Sequence, residues 1–213
     1  KSTRKTVAFV GANDGMLHAF DASTEPCATD STLTCAKSGA GRELFAFIPG
    51  GVLGSLGNLP LPDNAYPGST QSFDHRYYVD GQIAVGDAKD GSTWKTVLVG
   101  STGAGGRSVF ALDVSDADGF NNGDVLWERN NAADHDIGHV YGKPMLVPLE
   151  NNEWGVLFGN GYGGNSSDPS LYILDAFSGD VIKKITANDD NPASTGPLTP
   201  VTDFICSIIN AVN

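Results

Sequence analysis

The stretch from Asp116 to Asp124, Asp-Ala-Asp-Gly-Phe-Asn-Asn-Gly-Asp, gathers the oxygen donors that a hard cation needs. Calcium takes about six to eight oxygens, and carboxylates alternating with small residues in a glycine-bearing loop can wrap one, so Asp116, Asp118, Asn122 and Asp124 form a candidate calcium set. The spacing matches an EF-hand loop only in part and lacks its closing glutamate, and the same residues also read as a solvated acidic turn. A second cluster, Asp134-His135-Asp136-Ile137-Gly138-His139, holds metal-ligand types. His135 and His139 would share a face only on a helix, however, and Gly138 with the following Gly142-Lys143-Pro144 argues for a crossing between strands. Gly159-Asn160-Gly161-Tyr162-Gly163-Gly164 satisfies the GxGxxG spacing, but a pyrophosphate site needs a helix behind it, and Asn165 to Pro169 leads into another apolar strand. His18 and His75 show no partner in the sequence. Neither a GxSxG elbow nor an HExxH pair occurs, and no Ser, His and Asp set is placed by spacing, so the sequence offers no catalytic nucleophile.

Cys27 and Cys35 lie eight positions apart in one polar loop, with Cys206 left over. No CxxC is present, which argues against a zinc framework, and a Cys27–Cys35 disulfide would staple an insertion that has no core of its own if the protein is exported. The balance of 25 acids against 13 Lys and Arg gives a formal charge of −12. Such a surface repels phosphate backbones, which excludes nucleic acid as the expected partner. No apolar run reaches the ~18–20 residues needed to span a bilayer. Lys1-Ser2-Thr3-Arg4-Lys5 runs straight into a strand rather than a signal-peptide core, so a mature protein or an excised piece is expected.

The elements that must carry these residues repeat. Val7–Ala22, Thr96–Val114 and Gly155–Ala176 share one plan: an apolar run ending in Gly, a Gly-rich or Asn-rich turn, and a second apolar run ending in Asp. The runs are too short for helices and rich in residues that suit a pleated surface. Gly11, Gly100 and Gly159 are expected to close each first run, Asn13-Asp14-Gly15 is a hairpin signal, and Asp21, Asp113 and Asp175 read as turn caps. A further strand follows each cap, at Gly41–Phe47, Gly123–Trp127 and Gly179–Ile185. Candidate strands at Tyr77–Val85 and Lys143–Leu149 precede the second and third copies. Four short antiparallel strands per unit make the blade of a β-propeller of quinoprotein-like type, with about three blades at 7–48, 77–129 and 141–186 and an irregular or short helical tail at 187–213. Three blades do not close a ring, so missing residues or a partner chain would complete it. Strand parity puts the cysteine loop and the acidic loop 115–122 on one face. The Gly-rich turns and the long crossing Pro49–Asp74, expected to be functional or mobile, belong on the other.

The ordered set VGANDGMLHAFDA, GRELFAFIPG, VLVGSTGAGGRSVFALDVS, GKPMLVPLENNEWGVLFGNGY and SLYILDAFSGDVIKKI resembles the β-propeller domain of the PilC/PilY family of type IV pilus proteins over roughly Thr6 to Val201. That resemblance implies an exported bacterial protein at the pilus tip, the outer membrane surface or the periplasm. It would promote pilus assembly and act as an adhesin, with pilin and minor pilins or a host or abiotic surface as partners. In the family a segment like STGPLTPV precedes an Asp-rich calcium loop; Asp203 would be its first acid, and Phe204-Ile205-Cys206 departs from it. Two other classes use this blade type. A quinoprotein-like dehydrogenase would need an axial cofactor pocket and adjacent cysteines, and Cys27 and Cys35 are not adjacent. A carbohydrate-binding propeller is the other.

Overall fold

The computed structural model describes residues 5–61, 72–165 and 168–187. They form three antiparallel sheets and one small hairpin. The first sheet has the order β1 (Val7–Gly11), β2 (Leu17–Asp21), β5 (Glu43–Phe47). Between β2 and β5 lies the hairpin β3 (Thr24–Pro26) and β4 (Thr34–Ala36). The second sheet is β6 (Ile83–Asp90), β7 (Thr93–Ser101), β8 (Ser108–Asp113), β9 (Val125–Asn130). The third is β10 (Met145–Pro148), β11 (Trp154–Gly159), β12 (Ser170–Asp175), β13 (Val181–Thr186). The described residues close no ring.

The sheets stack face on face because strand side chains alternate and the second sheet is apolar on both sides. Leu98, Phe110 and Leu112 point toward the first sheet and bury against Leu17, with Phe9, Phe45 and Phe47 around them. Val97, Val99, Val109 and Ala111 point the other way and bury against Val156, Phe158, Tyr172 and Leu174 of the third sheet. The outer strands are stitched too: Trp127 Nε1 donates to the Ala176 carbonyl at 3.0 Å, and Arg129 Nε donates to the Gly179 carbonyl at 2.8 Å.

The three aspartates cap their turns as expected. Asp21 accepts from the Ser23 amide at 2.9 Å, Asp113 from the Ser115 amide at 3.1 Å, and Asp175 from the Phe177 and Ser178 amides at 2.9 and 2.7 Å. The Ser23 hydroxyl and amide hold the Asp21 carboxyl down at about 2.

Two expectations are corrected. The inner strand of the second sheet is Ile83–Asp90, not Tyr77–Val85. Tyr78 and Val79 are buried as a strand's residues would be, but from outside a strand: Tyr78 donates its hydroxyl to the Ser55 carbonyl at 3.1 Å and its amide to Asn13 Oδ1 at 3.3 Å, and Val79 packs into the core with Leu17 and Leu98. Nor does Gly100 end its strand, which runs on to Ser101; a Cβ on Gly100 would lie 2.6 Å from Cζ of Phe110, so this glycine makes room for a ring. The described part of the long crossing is not featureless either, since Gly50–Asn58 winds in 3-10 turns and buries Val52. The tail, with Cys206, Asp203 and the expected short helix, lies outside the described residues.

The crossing is pinned by Glu128, whose carboxylate accepts from the Gly50 and Gly51 amides at 2.7 and 2.8 Å. Charge-assisted bonds of this kind are worth about 1.5–3 kcal/mol each when their loss strands a partner. Glu128→Ala is therefore expected to lower unfolding stability by about 2 kcal/mol in urea titrations. Limited proteolysis should find new cleavage within residues 50–61.

Candidate binding face

The connections sort onto two faces. The lower face carries the segments that follow each Asp cap, and the upper face carries the turns after β1, β7 and β11 together with the crossings between sheets.

On the lower face Asp118 is the centre of charge. It pairs with Lys5 and, at 2.7 Å, with Arg42, which draws the cysteine loop's exit to the acidic loop as the strand parity requires. Lys5, ahead of Arg42, holds the Asp118 carboxyl below the usual carboxylate range. Asp116 and Asp124 of the predicted calcium set are engaged locally. Asp116 accepts from the Gly119 amide at 3.3 Å, and Asp124 accepts from the Asn121 amide at 2.8 Å while Asn121 caps the Asn122–Asp124 turn. Among the described residues no three acids, histidines or cysteines gather as a metal site would require. In this arrangement Asp118 is taken up by Lys5 and Arg42, and one oxygen each of Asp116 and Asp124 accepts from a neighbouring amide. The Cys27–Cys35 disulfide is formed, with Cα atoms 5.0 Å apart, and it clasps the β3–β4 hairpin.

The upper face is tied together through backbone. Gly138 donates to the Asn160 carbonyl at 2.7 Å, and His139 and Tyr162 exchange amide bonds at 2.7 and 3.0 Å. His139 Nδ1 donates to the Gly103 carbonyl at 2.8 Å. The His135 carbonyl accepts from the Asn165 amide at 2.8 Å, so both histidine positions brace the crossing, and the GxGxxG run leads into β12 rather than a helix. Gly161, at φ +77, must be glycine because a Cβ there would sit 2.2 Å from the His139 carbonyl oxygen. Upon this fixed backbone stand three tyrosines that the sequence reading passed over: Tyr77, Tyr141 and Tyr162, exposed by 50%, 53% and 77%. Tyr141 stacks on His139. The signal was available for Tyr141 and Tyr162, which sit among turn residues, whereas Tyr77 was hidden at the head of the expected strand Tyr77–Val85.

His18 has partners after all. Its Nδ1 lies 2.6 Å from Glu43 Oε1 and its Nε2 2.9 Å from Asp14 Oδ2, so the protonated ring donates to both carboxylates. Glu43, with Asp14 adding to it against the cost of burial, raises the His18 pKa above 6.5. A raised folded value means that this stabilisation is complete below 6.5 and is lost as pH rises through the folded pKa. Stability of the wild type should accordingly fall with pH above 6.5, and His18→Gln should flatten that slope in denaturant titrations run pH by pH.

Short antiparallel sheets packed face to face, with loops sorted onto opposite faces, define a segment of a β-propeller. The model of the PilY1 beta-propeller domain matches residues 1–201, and the chain belongs to that family. It is 43% identical over 201 residues to a type IV pilus biogenesis factor PilY1 homolog from Xylella fastidiosa, covering 92% of this chain and 12% of the relative. It is 36% identical over 197 residues to the type IV pilus biogenesis factor PilY1 of Pseudomonas aeruginosa, covering 92% of this chain and 15% of that protein. The crystal structure of the Pseudomonas aeruginosa PilY1 C-terminal domain superposes with a TM-score of 0.62 at 35% identity, covering 89% of this chain and 32% of that one. The chain thus spans about an eighth to a seventh of its curated relatives. Those relatives are described as biogenesis factors rather than as enzymes. No helix among the described residues is long and apolar enough to cross a membrane.

Proposed function

We propose that the chain is the loop-presenting part of an exported type IV pilus biogenesis protein, and that its upper face binds pilus subunits. The observation that carries this reading is the set of exposed tyrosines, Tyr77, Tyr141 and Tyr162, on loops held by backbone hydrogen bonds. Tyrosine buries a large, amphipathic surface for the loss of few rotors, which is why it is enriched at binding hot spots. A face already rigid loses little further entropy on association. Membership of the PilY1 propeller family supports the choice of partner, and a formed disulfide suits an oxidising compartment outside the cytoplasm.

In the full-length protein, Tyr141→Ala combined with Tyr162→Ala should cut pilin capture at least ~10-fold, about 1.4 kcal/mol, with the melting temperature unchanged. Retraction-dependent motility should fall with it. Unchanged capture and motility would remove the reading. Pilin capture that survives while attachment to glass or host cells is lost would move the face's role from assembly to adhesion.

A further inference from the structure

Four arginines lie among the described residues, and three of them are paired with an aspartate. Arg42 meets Asp118 at 2.7 Å, Arg76 meets Asp74 at 3.7 Å, and Arg129 meets Asp180 at 3.4 Å. Arg107 is the exception. Its side chain is half-buried, and among the described residues it makes no ion pair and no side-chain hydrogen bond. A guanidinium carries five donors and is always charged, so holding one partly out of water with none of them answered is costly. Asp136, on the crossing nearby, does not answer it, because that carboxylate pairs with Lys184.

Arg107 stands on the upper face, between the turn Gly103–Gly105 and the first residue of β8. Its carbonyl accepts from the Asn131 amide at 3.0 Å, which fixes the root of the side chain. The guanidinium reaches the β11–β12 turn, where a Cβ on Gly163 would lie 3.6 Å from Arg107 Nη2 and 3.8 Å from His139 Cδ2. Gly163 is held at φ +78, a conformation that side chains disfavour, so the space beside the guanidinium stays open. His139 in turn stacks on Tyr141, and Tyr162 directly precedes Gly163. One unanswered cation thus sits among the exposed tyrosines of this face.

We infer that Arg107 anchors the upper face to a carboxylate of the pilus subunit, either an acidic side chain or a free C-terminus. The inference rests on the reading of that face given above and names the chemistry it recognises. A carboxylate matches the guanidinium fork, because two N–H groups donate in parallel to its two oxygens. Tyrosines beside such a pair exclude water from it, and arginine with tyrosine is the usual make-up of a binding hot spot. A single cation on a chain of formal charge −12 lacks the density of positive charge that a polysulfated glycan or a phosphate backbone requires. It suits one carboxylate presented by a protein.

In the full-length protein, Arg107→Gln should weaken capture of purified pilin at least ~10-fold, chiefly through faster dissociation, with the melting temperature unchanged. Arg107→Lys keeps the charge but not the fork and should recover only part of that loss. Pilin whose carboxylates have been converted to amides with carbodiimide and excess amine should bind the wild type as weakly as untreated pilin binds Arg107→Gln. The variant should lose nothing further with amidated pilin. Competition by the pilin's C-terminal peptide, free acid against amide, separates the two sources: inhibition by the acid alone assigns the terminus, and inhibition by neither assigns a side chain. Capture that falls with the tyrosine substitutions but not with Arg107→Gln would overturn this inference and spare the reading of the face. Full rescue by lysine, undiminished capture of amidated pilin, or Arg107-dependent heparin binding with pilin capture intact would overturn it as well.

Discussion

Everything in this molecule depends on the second sheet being buried on both of its faces. A sheet with one wet face needs apolar residues only at every other position, whereas β7 and β8 must present them at consecutive positions, and Val97-Leu98-Val99 and Val109-Phe110-Ala111-Leu112 do so. All seven are fully buried. Burying side chains of this size contributes about 1.5–3 kcal/mol for each large one, far more than any ion pair on the surface. The neighbouring sheets are held because they supply the two surfaces this middle sheet requires. Their loops, in turn, can be polar and glycine-rich because they tie the sheets through backbone and charged groups rather than through apolar burial.

That division explains what could be read in advance. The strand–turn–strand–cap plan was legible because each part has a local cause: a period of two, a turn that needs glycine or asparagine, a short carboxylate within reach of the next amides. The cysteine pair and the sorting of loops by face followed from spacing and parity. The inner strand β6 was not legible, since Val85-Gly86-Asp87-Ala88-Lys89-Asp90 is half polar and lies at the edge of its sheet, while Tyr78 and Val79 imitate a strand by being buried although they lie outside one. Gly100 reads as a terminator until Phe110 is seen to need its space.

The functional residues divide in the same way. The acidic loop 116–124 has the composition of a cation site, but composition does not reveal that Lys5 and Arg42 arrive from more than seventy residues away to occupy Asp118. His18 looked isolated because Glu43 reaches it across the β2–β5 pairing, with the cysteine hairpin inserted between them. Tyr162 is opposite His139 only because the β11–β12 turn meets the crossing from β9 to β10 in an isolated bridge. Long-range pairing of this kind leaves no mark on local sequence.

The two ends of the junction between the first and second sheets are fastened by different physics. At one end Asp118 grips Lys5 and Arg42 on the exposed surface, where molar salt shortens the reach of the attraction to about 3 Å. At the other, Glu128 is bonded to two backbone amides at short range, and such contacts respond little to electrolyte. Brine should therefore free the Lys5 and Arg42 side chains from Asp118 at one end of this seam, while the Glu128 clasp and the apolar core between the sheets stay as they are.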